Sequence, residues 1–97
     1  MEIKECKSFY SRLMGFMFKK NINEILMFPK CNSIHTFFMS SKIDVYMTDK
    51  NNKILFIYKS LTPWKIILPK RGVYYTYETP VDYYNYKIGD VLKKELN

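Results

Sequence analysis

The sequence has few of the side chains from which most catalytic and metal sites are built. It contains one histidine, His35, and two cysteines, Cys6 and Cys31. Two cysteines that do not form a CxxC pair are too few for a disulfide framework, so we expect both thiols to be reduced. Zinc needs three or four ligands, and Cys6, Cys31, His35 and Asp44 lack the close spacing of a typical site. We therefore expect no metal ion and no cofactor.

Arginine and long apolar runs are also scarce. Arg12 and Arg71 are the only arginines, although 16 Lys and Arg against nine Asp and Glu give a formal charge of +7. This charge favours acidic partners, but specific recognition of bases and phosphates relies on arginine. No apolar run reaches the roughly 18 residues of a membrane span, and no signal-peptide pattern is present. We expect a cytoplasmic protein with no membrane partner.

The chain does contain enough apolar material for one folded domain. Hydrophobic residues make up 47% and aromatic residues 18% of its 97 residues. A chain of this length cannot support two domains, each with its own hydrophobic core. We therefore predict a single domain over residues 1–97.

Short apolar segments separated by turn formers predict a mainly β fold. Residues 8–17 carry an apolar stripe at helical spacing, with Ser8 as N-cap and Gly15 near the end, and predict one short N-terminal helix. The expected architecture is a small antiparallel β-sandwich or barrel of six to seven short strands. Besides the hairpin described next, strands are predicted at residues 1–6, 25–28, 66–68, 73–79 and 88–92.

The clearest local pattern is a β-hairpin over residues 43–58. Apolar residues alternate in its first arm, residues 49–52 supply turn formers, and residues 53–58 are rich in β-forming residues. Alternation places Asp44 on the face opposite Ile43, Val45 and Met47. The second arm is apolar on both faces, so we expect it to be a central strand. The tyrosine-rich residues 73–77 are expected to form an edge at which a monomer could weakly dimerise.

One segment places Cys31, His35 and Asp44 near one another in the sequence. A Cys–His pair can form a thiolate nucleophile, although in an extended strand the two Cα atoms would lie about 13 Å apart. A turn at residues 32–33 could bring them together. The alternative is that Cys31 is buried and that His35 and Asp44 form hydrogen bonds that support the fold.

The function predicted from these residues is binding. The chain has no paired acid cluster, no phosphate-binding glycine loop and no complete triad, so a binding or accessory module for an unknown ligand or protein partner is favoured over an enzyme. We predict that His35, Asp44 and Trp64 form its binding face. One alternative is a hydrolase that uses Cys31 and His35. Another is weak nucleic-acid binding by the basic, tyrosine-rich surface, with Trp64 stacking on bases.

The central segment CNSIHTFFMSSKIDV, residues 31–45, also carries a family resemblance. It resembles a branch of the uncharacterised family called domain of unknown function 192, whose motif reads CxSxHTFFMxxxIDV. The elements GFM at residues 15–17, LTPW at 61–64 and GD at 89–90 follow the family order. The branch usually has Arg-Phe-Pro where residues 40–42 are SSK, and Glu-Leu-Pro-Ala-Gly where residues 77–80 are YETP. The resemblance implies a small β-rich domain and implies no activity or ligand.

Overall fold

A computed structural model describes residues 3–7, 17 and 22–93 of the chain. It contains seven strands and no helix within that part, which confirms the mainly β prediction. The helix predicted for residues 8–17 lies outside the described residues, apart from Met17. The strands are β1 (Ile3–Glu5), β2 (Ile25–Pro29), β3 (Ile34–His35), β4 (Ile43–Thr48), β5 (Ile54–Leu61), β6 (Ile66–Ile67) and β7 (Tyr75–Thr79).

Five of the strands form one open sheet in the order β1-β2-β7-β4-β5. β1 and β2 are parallel, and the other neighbours are antiparallel. The remaining strands, β3 and β6, form a two-stranded antiparallel ribbon, here called the ribbon. The predicted barrel is wrong because β1 and β5 end the sheet and do not pair with each other to close it.

The predicted hairpin is confirmed, but its first arm is a central strand of the sheet and its second arm is an edge strand. β4 pairs with both β5 and β7 and is buried at all six positions, whereas β5 is an edge strand of half-buried and exposed residues after Ile54. The prediction of a central second arm is therefore wrong. The alternating first arm can occupy the centre because its polar residues, Asp44 and Thr48, form hydrogen bonds inside the fold.

Two predictions for the C-terminal third are also wrong. β7 pairs with β2 on one side and β4 on the other, so residues 75–79 are not an edge available for dimerisation. Residues 88–92 form no strand, and only the bridge between Lys53 and Val91 is present there. The bend at Gly89 (φ 96°) leads this segment past the hairpin turn, where the Leu92 N–H donates to the Asn52 carbonyl at 2.8 Å.

Each face of the five-stranded sheet has its own core. The ribbon packs on one face, and the segment 80–92 covers the other. Ile43, Val45 and Met47 face the ribbon, while Tyr46 faces the opposite core, as strand alternation requires. The core beneath the ribbon consists of Cys6, Leu26, Phe28, Met39, Ile43, Val45, Met47 and Ile67. The opposite core consists of Ile25, Met27, Tyr46, Ile54, Tyr77 and Leu92, with Tyr84 and Tyr86 packed against it.

Candidate functional site

The ribbon has an inner face and an outer face. Ile34 pairs with Ile67, and both contribute to the core beneath the ribbon. His35 pairs with Ile66, and because successive side chains of a strand alternate, this pair lies on the outer face. Ile66 is accordingly 57% exposed.

Thr36 connects the two loops at the end of the ribbon. Its side chain is buried, and its Oγ1 donates to the Thr62 carbonyl and accepts from the Lys65 N–H, both at 2.8 Å. Its own N–H donates to the Lys65 carbonyl, and its carbonyl accepts from the Trp64 N–H at 3.0 Å. These bonds fix residues 62–65 relative to residues 35–39, so the aromatic residues on the two loops have defined relative positions.

Those aromatic residues form a continuous chain of ring contacts. The His35 ring lies 4.9 Å from Phe37, and Phe37 lies 5.6 Å from Trp64. Trp64 in turn makes an edge-to-face contact with Phe38 at 4.8 Å. His35 Nδ1 accepts a hydrogen bond from the Phe37 N–H at 3.1 Å. With the neighbouring exposed aliphatic residues, these side chains form what we call the apolar strip: His35, Phe37, Phe38, Trp64, Ile66 and Leu68.

The large apolar side chains of the strip are not part of a buried core. Trp64 is 60% exposed, Leu68 69% and Phe38 48%. Phe38 and Trp64 also have left-handed backbone conformations, with φ of 63° and 66°. This conformation costs a bulky residue about 1–3 kcal/mol, and such costs concentrate at binding and catalytic sites. The fold therefore holds two large aromatic side chains at the surface at an energetic cost.

The charges beside the strip have one sign. No Asp or Glu occurs in residues 25–43 or 50–77, which include the whole ribbon and its loops. Lys65 and Arg71 are exposed, and no carboxylate of the described residues lies within ion-pair distance of either. Lys70 lies over the Phe56 ring at 5.7 Å from its centroid. The strip is consequently an apolar surface bordered by cations.

Asp44 belongs to a separate polar cluster. It is fully buried, and its carboxylate accepts hydrogen bonds from Lys59 Nζ and from the N–H groups of Ser60 and Asp82, the last two at 2.8 Å. Ser60 and Asp82 have φ of 52° and 62°, so the carboxylate holds two strained backbone positions. Lys59 also contacts Asp82 Oδ1 at 3.1 Å. Burial alone would lower the pKa of Lys59, but its hydrogen bonds to Asp44 and Asp82 outweigh this effect and raise that pKa.

Cys31 and His35 form hydrogen bonds with different groups. The Cys31 thiol donates to the Ser33 carbonyl at 3.1 Å, and its main chain bonds to Tyr74 and Thr76. Of the predicted binding residues, His35 and Trp64 both contact Phe37, whereas Asp44 bonds to the cluster around Lys59. Within the described parts of the chain, no three His, Cys, Asp or Glu side chains are grouped so that they could hold a metal ion.

Sequence reasoning did not single out Glu78 on β7. This residue is 4% exposed and pairs with Leu26 and Val45, both in the core beneath the ribbon, so its side chain lies on that apolar face. No cation among the described residues forms an ion pair with it. Burial raises the pKa of the Glu78 carboxyl from 4.5 to about 8. The signal that could have identified it is a glutamate that directly follows Tyr77 in a tyrosine-rich strand.

The fold and the strip define a small, open-sheet β domain with an exposed ribbon, and comparison with known proteins places it in a family. The family model DUF192, described as "Uncharacterized ACR", matches residues 1–93. The chain therefore belongs to the DUF192 family, as its central motif predicted. A UPF0127 protein of Thermococcus sibiricus is 37% identical over 103 residues, a match covering 97% of this chain and 66% of that protein. A UPF0127 protein of Thermococcus kodakarensis is 35% identical over 86 residues, covering 82% and 54%.

A solved structure shares the fold. The crystal structure of a protein of unknown function from Novosphingobium aromaticivorans superposes with a TM-score of 0.70 at 15% identity, covering 82% of this chain and 63% of that one. The chain spans less than two thirds of the length of the two UPF0127 proteins above. Residues 3–7, 17 and 22–93 contain no helix that is long and apolar enough to cross a bilayer.

Proposed function

We propose that this protein is a binding module that recognises a segment of a partner protein through the apolar strip. Two residues predicted to bind, His35 and Trp64, belong to the strip, and we assign the third, Asp44, the role of supporting the loop that leads to Trp64. The chain runs from Lys59 and Ser60, which bond to Asp44, directly into residues 61–64. In this proposal Asp44 acts on binding through the backbone and does not contact the partner.

The observation that carries the proposal is the exposure and the backbone conformation of Phe38 and Trp64. Both are exposed and both have positive φ. The Trp64 N–H donates to the Thr36 carbonyl at 3.0 Å, and Phe38 lies in the turn in which the Met39 N–H donates to the same carbonyl at 3.4 Å. Large aromatic side chains that are exposed but rigid contribute strongly to protein interfaces, because little side-chain entropy remains to be lost on binding. A surface of this kind suits a partner that buries Trp64 in its own apolar residues.

A selection from a random peptide library tests the proposal. The immobilised protein is exposed to ten-residue random peptides, and enriched sequences are titrated against the wild type, Trp64→Ala, Phe38→Ala and the control Ile88→Ala. Ile88 is 67% exposed but lies in the segment on the other face of the sheet. We expect the two strip variants to weaken binding at least about tenfold, which corresponds to about 1.4 kcal/mol for a buried anchor residue. Equal binding by all four proteins would contradict the proposal.

Nucleic-acid binding is the second candidate function. Exposed Trp64 and Phe38 beside Lys65 and Arg71 are also suited to stacking with bases. Single-stranded oligonucleotides of mixed sequence, titrated at two salt concentrations, test this alternative, because phosphate contacts make the affinity fall steeply with salt.

Two further expectations complete the proposal. We propose that the protein is cytoplasmic and that it is a monomer or a weak dimer. Cys6 and Cys31, the two cysteines of the described residues, are not joined by a disulfide, which agrees with a reducing compartment. Analytical ultracentrifugation over a range of concentrations measures the oligomeric state.

A further inference from the structure

We infer that the partner segment is acidic and extended, and that its carboxylates pair with Lys65 and Arg71 while its apolar side chains cover the strip. This inference rests on the function proposed above and specifies the chemistry of the partner. Three features of the ribbon support it: the sign of its charges, the spacing of its apolar residues and the exposed edge of β6.

The charges around the strip are complementary to an acid. Lys65 lies in the sequence between Trp64 and Ile66, and Arg71 follows Leu68 by three residues. Neither forms an ion pair with a carboxylate of the described residues. Among the acidic residues of the described chain, Asp44 and Glu78 are buried, and Glu78 lies in the core beneath the ribbon. A partner carboxylate would thus be attracted to the exposed cations of the ribbon.

The apolar residues of the strip have the spacing of a strand. Ile66 and Leu68 are exposed and Ile67 between them is 5% exposed, so alternate residues face outward. An extended segment with alternating apolar and acidic residues presents its side chains at the same two-residue period. It can therefore place apolar groups on Ile66 and Leu68 while its intervening carboxylates extend towards the flanking cations.

The backbone of β6 offers an edge for such a segment. The Lys65 carbonyl accepts from the Thr36 N–H and so points towards β3. Because the peptide groups of consecutive strand residues point to opposite sides, the N–H and C=O of Ile66 point away from β3. Within the part of the chain that the structure describes, β6 pairs with β3 alone. An added strand would bond to Ile66, as peptides do at other exposed sheet edges.

Three defined peptide libraries test the inference. Each consists of ten-residue peptides in which random apolar residues alternate with Glu, with Asn or with Lys. Binding is measured for the wild type, for Trp64→Ala and for the Lys65→Gln, Arg71→Gln double variant. The control Lys53→Gln, Lys87→Gln removes the same charge from exposed positions elsewhere. Amide hydrogen exchange of Ile66 is measured with and without the tightest Glu peptide.

We expect the Glu library to bind at least about tenfold more tightly than the Lys library and the ribbon double variant to lose about fivefold, with the control losing less than about twofold. Exchange at Ile66 should slow at least about tenfold. Equal binding of all three libraries, still abolished by Trp64→Ala, would overturn the acidic partner and leave the proposed function intact. Unchanged exchange at Ile66 would overturn the extended arrangement. If none of the libraries bound, both proposals would be overturned. The same would follow if the protein bound single-stranded oligonucleotides or anionic vesicles and no peptide.

Discussion

The buried carboxyl of Glu78 makes the stability of the protein depend on pH in a direction opposite to that of most carboxylates. Its pKa is about 8 in the folded protein and close to the ordinary 4.5 in the unfolded chain. Between these values the folded state binds the proton and the unfolded state does not. Stability therefore falls as pH rises from about 4.5 to about 8, and it levels off above that value.

The magnitude follows from the difference between the two pKa values. At about 1.4 kcal/mol per pH unit, the ionised Glu78 costs about 5 kcal/mol at pH 9. Small domains are stable by about 5–15 kcal/mol in total, so this is a large fraction of the free energy of unfolding. Glu78→Gln keeps the shape of the side chain and cannot ionise. We expect it to be more stable than the wild type at pH 9 by several kcal/mol and to differ little at pH 4.5.

Urea unfolding followed by circular dichroism at pH 4.5, 6, 7.5 and 9 measures both free energies. The informative quantity is the difference between variant and wild type at each pH, because the titration of other groups cancels in it. Glu5→Gln is the matched control, since Glu5 is exposed and its ion pair within the described residues is a 3.5 Å contact with Lys7. A difference between Glu78→Gln and wild type that stays constant from pH 4.5 to 9 would refute the reasoning.

Three further substitutions test the hydrogen bonds that hold the site and the cores. Thr36→Val should lower the free energy of unfolding by about 1–3 kcal/mol by leaving the Lys65 N–H unpaired, and Thr36→Ser should restore most of it in urea titrations; equal losses would mean that the hydroxyl is unimportant. Asp44→Asn should cost about 2 kcal/mol because the Lys59 hydrogen bond loses its charged acceptor while Lys59 keeps its contact with Asp82, and a thermal shift within error of the wild type would be inconsistent with this role. Tyr77→Phe removes a 2.7 Å hydrogen bond to Asn52 and should cost about 1 kcal/mol by denaturant titration; a free energy of unfolding equal to that of the wild type would contradict this.

The parts of the fold that depend on local pattern could be predicted from the sequence. The turn at residues 49–52 has its own support, since Asp49 Oδ1 accepts from the N–H groups of Asn51 and Lys53. The apolar run before Pro29 forms β2 as expected. Both features are determined by residues within a few positions of one another, so the sequence pattern contains the necessary information.

The order of the strands could not be predicted in the same way. The central place of β4 depends on Asp44, whose partners lie 15 to 38 residues away along the chain. From the sequence alone, a polar residue in a strand is predicted to lie on an exposed face, because the distant donors that could satisfy it in the interior are not visible. Likewise, the apolar run of β5 is typical of a central strand, and only the tertiary fold leaves it at the edge.

The candidate site was only partly visible in the sequence. The aromatic residues Phe37, Phe38 and Trp64 stand out by type, but ordinary packing would bury them. Phe37 is half-buried, whereas Phe38 and Trp64 are exposed and have positive φ values. The loops that carry them are joined by hydrogen bonds of Thr36 to Thr62 and Lys65, which are 26 and 29 positions away. Ile66 and Leu68 alternate with a buried residue, and the sequence does not show which of the two sets faces outward.

The position of β7 also constrains how the protein is made. It is the last strand of the described residues, yet it joins β2 to β4 in the middle of the sheet. Until residue 79 has left the ribosome, the pair β1–β2 and the hairpin β4–β5 have no strand between them, and each leaves an unpaired edge. Assembly must wait for this late strand, which predicts slow folding dominated by distant contacts and an aggregation-prone product when translation stops early.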